Sequence, residues 1–233
     1  MQQFYTPDLE TDASNYVFNE HESKHIARVL RKRSGETLRL TNGKGTLFWG
    51  NLEVLSTKQC AVNITKEECI EPPVSQVHIA IAPTKNLDRF EWFLEKATEL
   101  GIHRITPILC SRSERKHLKI ERCNKIISSA LKQSLGAYMP ILDPLTPLEN
   151  LKTKAPLSCI AHCENGDKEP LIKAISHQRN VCILIGPEGD FTNEEIRWAL
   201  KHNIQAVHLG ENRLRTETAA LIALHTTILL HAQ

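Results

Sequence analysis

The sequence predicts an α/β chain in two parts: a small β-rich domain over residues 1–71 and a larger α/β domain with a mainly parallel sheet over residues 74–233. Three observations carry this. Up to about Glu71 the pattern is mostly short runs in which apolar and polar residues alternate. Beyond it, short β-branched runs take turns with stretches of helical periodicity, the rhythm of strands joined by helices. Between the two stands Pro72-Pro73, which favours extended backbone and resists both helix and central strand, so it reads as a linker.

In the first part, TLRLTNGKGTLFWGNLEVLS alternates around Asn42-Gly43, a hairpin signal. HESKHIARVLRKRSGE is expected as one short helix ended by Gly35, with Ile26, Val29 and Leu30 inward and the basic residues outward. In the second part VHIAIAP, ITPILC, SCIAHC, VCILIG and AVHLG read as strands. Helices are expected over Asp88–Gly101, Ile120 to about Tyr138, Leu171–His177, Asn193–His202 and Glu217–His231. The first places Phe90, Phe93, Leu94, Ala97 and Leu100 on one face, with Asp88 and Glu91 as its capping pair.

With 233 residues, 41% hydrophobic and 24% charged, the composition is that of a globular protein and not of a disordered chain. MQQFYTP has no basic segment followed by an apolar run, and AALIALHTTILLHA is short and broken by His and Thr, so a cytoplasmic chain without a membrane span is expected. Seven irregularly spaced cysteines do not suggest a disulfide framework. Cys159, His162 and Cys163 form a CxxHC cluster, but no second Cys/His pair has a matching spacing, so the segment reads as strand and no metal is expected. The net charge of +2 is small, yet two basic runs stand out. Lys24, Arg28, Arg31, Lys32 and Arg33 form one, and Arg112, Arg115, Lys116, Lys119, Arg122 and Lys125 the other; together they make RNA contact a fair expectation beside the plainer reading of solvated helix faces.

Two segments carry chemistry. VCILIGPEGDFTNEEIRWAL is a buried strand, a glycine turn, and a helix whose start is marked by Thr192 with Glu195 three residues on. Gly186 and Gly189 would let backbone approach a ligand, a plain turn after the strand being the commoner reading of this segment taken alone. AVHLGENRLRTETAALIAL repeats the arrangement, with Glu211, Asn212, Arg213, Arg215 and Glu217 between strand and apolar helix; such charges must reach solvent or find partners. Ligands of open α/β sheets bind beyond the carboxyl ends of strands, where both loops fall, so one shared pocket is expected. GxGxxG, GxxxxGK[ST] and GxSxG are absent, which removes support for hydride transfer, P-loop phosphoryl transfer and α/β-hydrolase chemistry.

These segments resemble the signature of the SPOUT methyltransferases, and specifically the RsmE family of ribosomal RNA uridine-N3 methyltransferases. IGPEGDFTNEEI is similar to that family's GPEGG-containing element and LGENRLRTETAAL to its LG-x-x-x-LR-x-ETA element. LEKATELGI, CSRSERK and ALKQS resemble further segments, and HIARVLRKRSGETLRLTNGKG resembles the N-terminal pattern. The resemblance implies a PUA-like β-barrel for RNA docking and a trefoil-knot α/β domain, acting as a homodimer through the last helix. It implies S-adenosyl-L-methionine as cofactor, held by Leu184, Gly186, Pro187, Glu188, Gly189, Leu209, Gly210, Leu214, Arg215 and Thr218. The implied reaction is methyl transfer to uracil N3 of 16S rRNA in the small ribosomal subunit. Arg215 would stabilise the uracil anion or grip a phosphate, and Glu188 or Glu217 would serve as base, Glu217 having helix capping as its other reading. Lys24, Arg28, Arg31, Lys32, Arg112, Arg115 and Lys116 are the expected RNA contacts. Two departures stand out: Asp190 where many members have a second glycine, and Gly136 and Tyr138 where many have arginines, leaving Lys125 or Lys132 to supply that charge. The alternatives are a SPOUT enzyme acting on another RNA base and an RNA-binding module without catalysis.

Overall fold

The structure, a computed structural model, describes residues 2–231 and divides into two compact units, Met1–Pro72 with Leu131–Met139, and Pro73–Ala130 with Pro140–Gln233. The first unit is built on β1 (Gln3–Tyr5), β2 (Asn15–Val17), β3 (Thr37–Thr41), β4 (Thr46–Ser56) and β5 (Gln59–Cys69), in the order β1-β3-β4-β5-β2. β1 runs parallel to β3 and the other pairs are antiparallel. β1 and β2 end opposite edges of this order, yet the rings of Phe4 and Phe18 lie 5.5 Å apart, so the sheet curls around its own core. That core holds Leu38, Leu40, Phe48, Leu52 and Val62. The pairing slips between Trp49 and Gly50, where a Cβ on Gly50 would lie 2.4 Å from the Asn63 carbonyl oxygen; only glycine fits this bulge.

The expected hairpin joins β3 to β4. Its turn is organised by Asn42, whose Oδ1 accepts from the amides of Lys44 (2.9 Å) and Thr46 (3.2 Å).

The expected single helix ended by Gly35 is corrected. α1 (Glu20–Lys24), capped by the Asn19 side chain, passes into a π-helical turn, His25–Val29, and the chain leaves it at Arg31, whose φ is +52°. A π turn advances fewer degrees per residue than an α turn, so Val29 falls off the face that Ile26 occupies. Ile26 is buried as expected, but Val29 is 67% exposed. Gly35 instead shapes the turn into β3, its amide donating to the Leu52 carbonyl at 2.8 Å.

The second unit contains β6 (Val77–Ile81), α2 (Leu87–Glu99), β7 (Arg104–Leu109), β8 (Ile141–Leu142), β9 (Thr146–Pro147), β10 (Leu157–Ala161), β11 (Glu169–Pro170), α4 (Leu171–Ala174), β12 (Val181–Ile185), α5 (Asn193–Lys201), β13 (Gln205–His208) and α6 (Thr216–His231); α3 (Ile120–Gln133) runs from this unit into the first. All pairs in its sheet are parallel, in the order β11-β13-β10-β12-β6-β7-β8, with β9 also on β7. β6 and β12 are buried along their whole length, which explains why their sequences, apolar apart from His78, lack the alternation of a half-exposed strand.

Three expected helices differ at their ends. Asn86, not Asp88, caps α2, its Oδ1 accepting from the Asp88 amide. The stretch expected to run to His177 is the single turn α4. α3 stops at Gln133, short of Tyr138, because Leu135 takes a φ of +59° and the Gly136 amide turns back to the Leu131 carbonyl. Residues 131–139 then dock on the first unit: Gln3 Nε2 donates to the Gly136 carbonyl (2.8 Å) and Tyr138 Oη to the Ile70 carbonyl (2.6 Å). Gly136 and Tyr138 therefore serve packing within the first unit. α6 packs on α2 and β6, the first helix and strand of its unit.

Candidate active site

β10 lies between β12 and β13, and the loops after these three strands, residues 161–168, 186–190 and 208–216, enclose a cavity of about 610 Å³, a size suited to a small molecule. The GPEGD turn forms one wall. A Cβ on Gly186 would lie 3.0 and 3.1 Å from ring atoms of Phe191 and 3.2 Å from its amide nitrogen, so glycine here lets the fully buried Phe191 fold back under the turn. The Pro187 carbonyl accepts from the Asp190 amide at 2.9 Å and closes the turn. Glu188 reaches out from it, its Oε1 accepting from the Lys85 amide at 2.8 Å.

The second wall is LGENRLRT. Gly210 has a φ of +127° and open space where a side chain would be. Thr216 Oγ1 donates to the Gly186 carbonyl (3.1 Å) and Arg213 Nη2 to the Glu188 carbonyl (3.4 Å), so the two motif loops are tied directly together. Arg215 is exposed at the cavity.

The third wall is the start of HCENGDK. Lys168 Nζ donates to the carbonyls of His162 (2.9 Å) and Glu164 (2.7 Å), folding the loop on itself. Burial, with Lys168 nearby, holds the His162 imidazole below its ordinary pKa, and both ring nitrogens are shut off from solvent without a hydrogen-bond partner. Asp190 joins this wall to the first. It takes a φ of +63°, the left-handed conformation that a glycine would adopt freely, while Oδ2 accepts from the Cys163 amide (2.7 Å) and Oδ1 from that of Phe191 (2.8 Å).

Of the expected cofactor residues, Gly186, Pro187, Glu188, Leu209, Gly210, Leu214 and Arg215 line the cavity. Leu184 is buried in β12 behind it, Gly189 lies against the side chain of Arg112, and Thr218 is on α6 outside the lining. The candidate bases are separated: Glu188 lines the cavity, whereas Glu217 is buried in α6, with Oε1 3.8 Å from Arg89 Nε and Oε2 without a partner among the described residues.

The basic residues divide similarly. Arg112 Nη1 donates to the carbonyls of Gly189 and Phe191, and Arg115 to those of Thr84 and Lys85, so both guanidinium groups brace the loops around the turn. Lys24 pairs with Glu20 and Lys32 with Glu36, while Arg28 bonds Thr57 Oγ1. Arg31 and Lys116 are exposed. Ala161, His162, Cys163 and Lys168 were not expected at the site; the signal for them is the position of β10 between the two motif strands. Among the described residues no group of three or more His, Cys, Asp or Glu side chains could hold a metal ion, and no helix is long and apolar enough to cross a membrane.

Comparison with known proteins agrees along the whole chain. Residues 71–228 match the RNA methyltransferase domain family and residues 18–65 the RNA methyltransferase PUA domain family. The chain is 29% identical over 217 residues to the ribosomal RNA small subunit methyltransferase E of Rickettsia conorii, covering 91% of this chain and 88% of the relative. A probable rRNA-methyltransferase from Porphyromonas gingivalis has the same fold, with a TM-score of 0.90 at 38% identity over 100% of this chain and 99% of that one. So does a ribosomal RNA small subunit methyltransferase E from Neisseria gonorrhoeae bound to S-adenosyl methionine, with a TM-score of 0.87 at 27% identity over 99% and 98%. Two matched domains and likeness over nearly the full length lead to one assignment: the chain belongs to the RsmE family of small-subunit ribosomal RNA methyltransferases, in the trefoil-knot SPOUT class.

Proposed function

We propose that this chain methylates uracil N3 in 16S rRNA of the small ribosomal subunit, with S-adenosylmethionine held in the cavity of the second unit. The observation that carries this reading is the tying of GPEGD to LGENRLRT around one cavity at the strand ends. The donor set fits the cofactor. Ala161, Ile185, Leu209, Leu214 and Ala219 provide apolar surface, the loop backbones provide hydrogen-bonding groups, and Lys168, Arg213, Glu188 and Asp190 provide both signs of charge for a zwitterionic amino-acid tail. When bound, the cofactor supplies a methyl group activated on a sulfonium.

The chain's own residues do the rest. Gly186, Leu209, Gly210 and Leu214 hold the cofactor against the strand ends and keep water from that side. Uracil N3 carries a proton at neutral pH, so the site must take it or stabilise the anion. Glu188 faces the cavity and accepts that proton, whereas Glu217 serves the packing of α6 against α2. Arg215, exposed at the cavity and with no charged partner within salt-bridge range among the described residues, stabilises the negative charge that develops on the base. Arg31 and Lys116 meet RNA phosphate in this reading, which their exposure supports. The chain works in the cytoplasm as a homodimer, a reading supported by apolar surface left exposed on α6 at Ile222 (38%) and Leu229 (54%).

The test is Arg215→Ala. Methyl transfer is expected to fall about 10²-fold or more while calorimetry still detects cofactor binding. Full activity with normal binding would remove Arg215 from the mechanism. Salt-sensitive RNA binding by the wild-type chain without cofactor affinity would favour a binding module over an enzyme.

A further inference from the structure

Asp190 occupies a left-handed position that suits glycine, and its side chain bonds a loop 27 residues away in sequence. The loop it bonds has few other ties. Cys163 is exposed, and the contacts of Lys168 close residues 162–168 on themselves without holding them to the GPEGD turn. Yet Ala161, His162, Cys163 and Lys168 form one side of the cavity. Without the carboxylate the Cys163 amide would turn to water and the loop would lose its bond to the turn.

We propose that Asp190 is a positioning residue for the cofactor: by holding the Cys163 amide it sets the third wall of the cavity, a task that a glycine at the same position cannot perform. This rests on the reading of the cavity as an S-adenosylmethionine site. The side chain makes this bond from a left-handed backbone conformation that costs a non-glycine residue strain.

The experiment compares Asp190→Gly and Asp190→Asn with the wild-type chain. Glycine relieves the strain and so keeps the fold, while asparagine tolerates the same conformation and keeps one of the two acceptor oxygens, which serves the Cys163 amide once the amide group turns its NH2 away and gives up the bond to the Phe191 amide. Titration with S-adenosylmethionine is expected to show affinity weakened about tenfold in Asp190→Gly, the size of one lost hydrogen bond, and restored to within about twofold in Asp190→Asn. Amide hydrogen exchange at Cys163, measured without cofactor, is expected to be slow in the wild type and in Asp190→Asn and fast in Asp190→Gly. Wild-type affinity in Asp190→Gly, or equal loss in both variants, would overturn the proposal, the second outcome pointing to the charge or to the Phe191 bond and not to the Cys163 bond. Unchanged Cys163 exchange in Asp190→Gly would also overturn it. A wild-type chain that bound no S-adenosylmethionine would refute the cofactor reading by itself, while the exchange comparison would still decide whether Asp190 anchors the loop.

Discussion

Gly186 and His78 show how single residues carry the second unit. A methyl group on Gly186 would press on the Phe191 ring and amide at 3.0–3.2 Å, so the buried ring or the turn that lines the cavity would have to give way. Gly186→Ala is therefore expected to cost about 1–3 kcal/mol of unfolding free energy, as overpacking does, and to weaken cofactor binding; urea unfolding and calorimetry check the two effects. His78 lies at the other end of β6. Its Nε2 is 2.7 Å from Thr106 Oγ1, the Thr106 hydroxyl donates to Asp143, and Arg104 holds Asp143 with two bonds of 2.7 and 2.8 Å. With the hydroxyl proton given to Asp143, the imidazole must be the donor to Thr106 Oγ1. Burial pushes the His78 pKa down to about 4 from an ordinary 6.5, so the unfolded chain takes up the proton first as pH falls. The stability tied to neutral His78 is complete above pH 6.5 and is lost as pH falls from 6.5 toward 4, by up to about 3 kcal/mol. Unfolding measured across that range should show this slope in the wild type and a flatter one in His78→Gln. Equal slopes would show that His78 is not its source.

At the scale of elements, local signals were legible where local contacts decide. Thr192 and Glu195 form a reciprocal capping box, as their spacing predicts, and Asn42-Gly43 turns the hairpin. Signals failed where a distant partner decides. The end of α3 depends on Gln3 and Ile70, and the phase of Val29 depends on a π turn that no hydrophobic period encodes. The same distinction runs through the site: glycine turns and a dense charge pattern marked the loops after β12 and β13, but the loop after β10 joins them only through the order of strands, a non-local property. The last helix carries a prediction of its own. Ile222 and Leu229 are seven residues apart on α6, hence on one face, and both are exposed. Replacing both with glutamate should turn a dimer into a monomer in sedimentation velocity; a wild-type chain that is monomeric at micromolar concentration would contradict the homodimer.

Over the whole molecule, two units of different construction serve one reaction. The first is a curled five-stranded sheet whose helical turn leaves Arg31 exposed; the second is a parallel sheet whose strand ends hold the cavity. Asp190, Gly136 and Tyr138 all make defined contacts within one unit or the other. The most direct measurement is to incubate the chain with labelled S-adenosylmethionine and unmodified small ribosomal subunits and then to map the modified nucleotide. The expected result is a single methyl group on N3 of one uridine in 16S rRNA. Label on another base, on tRNA in place of the small subunit, or on no RNA at all would contradict it.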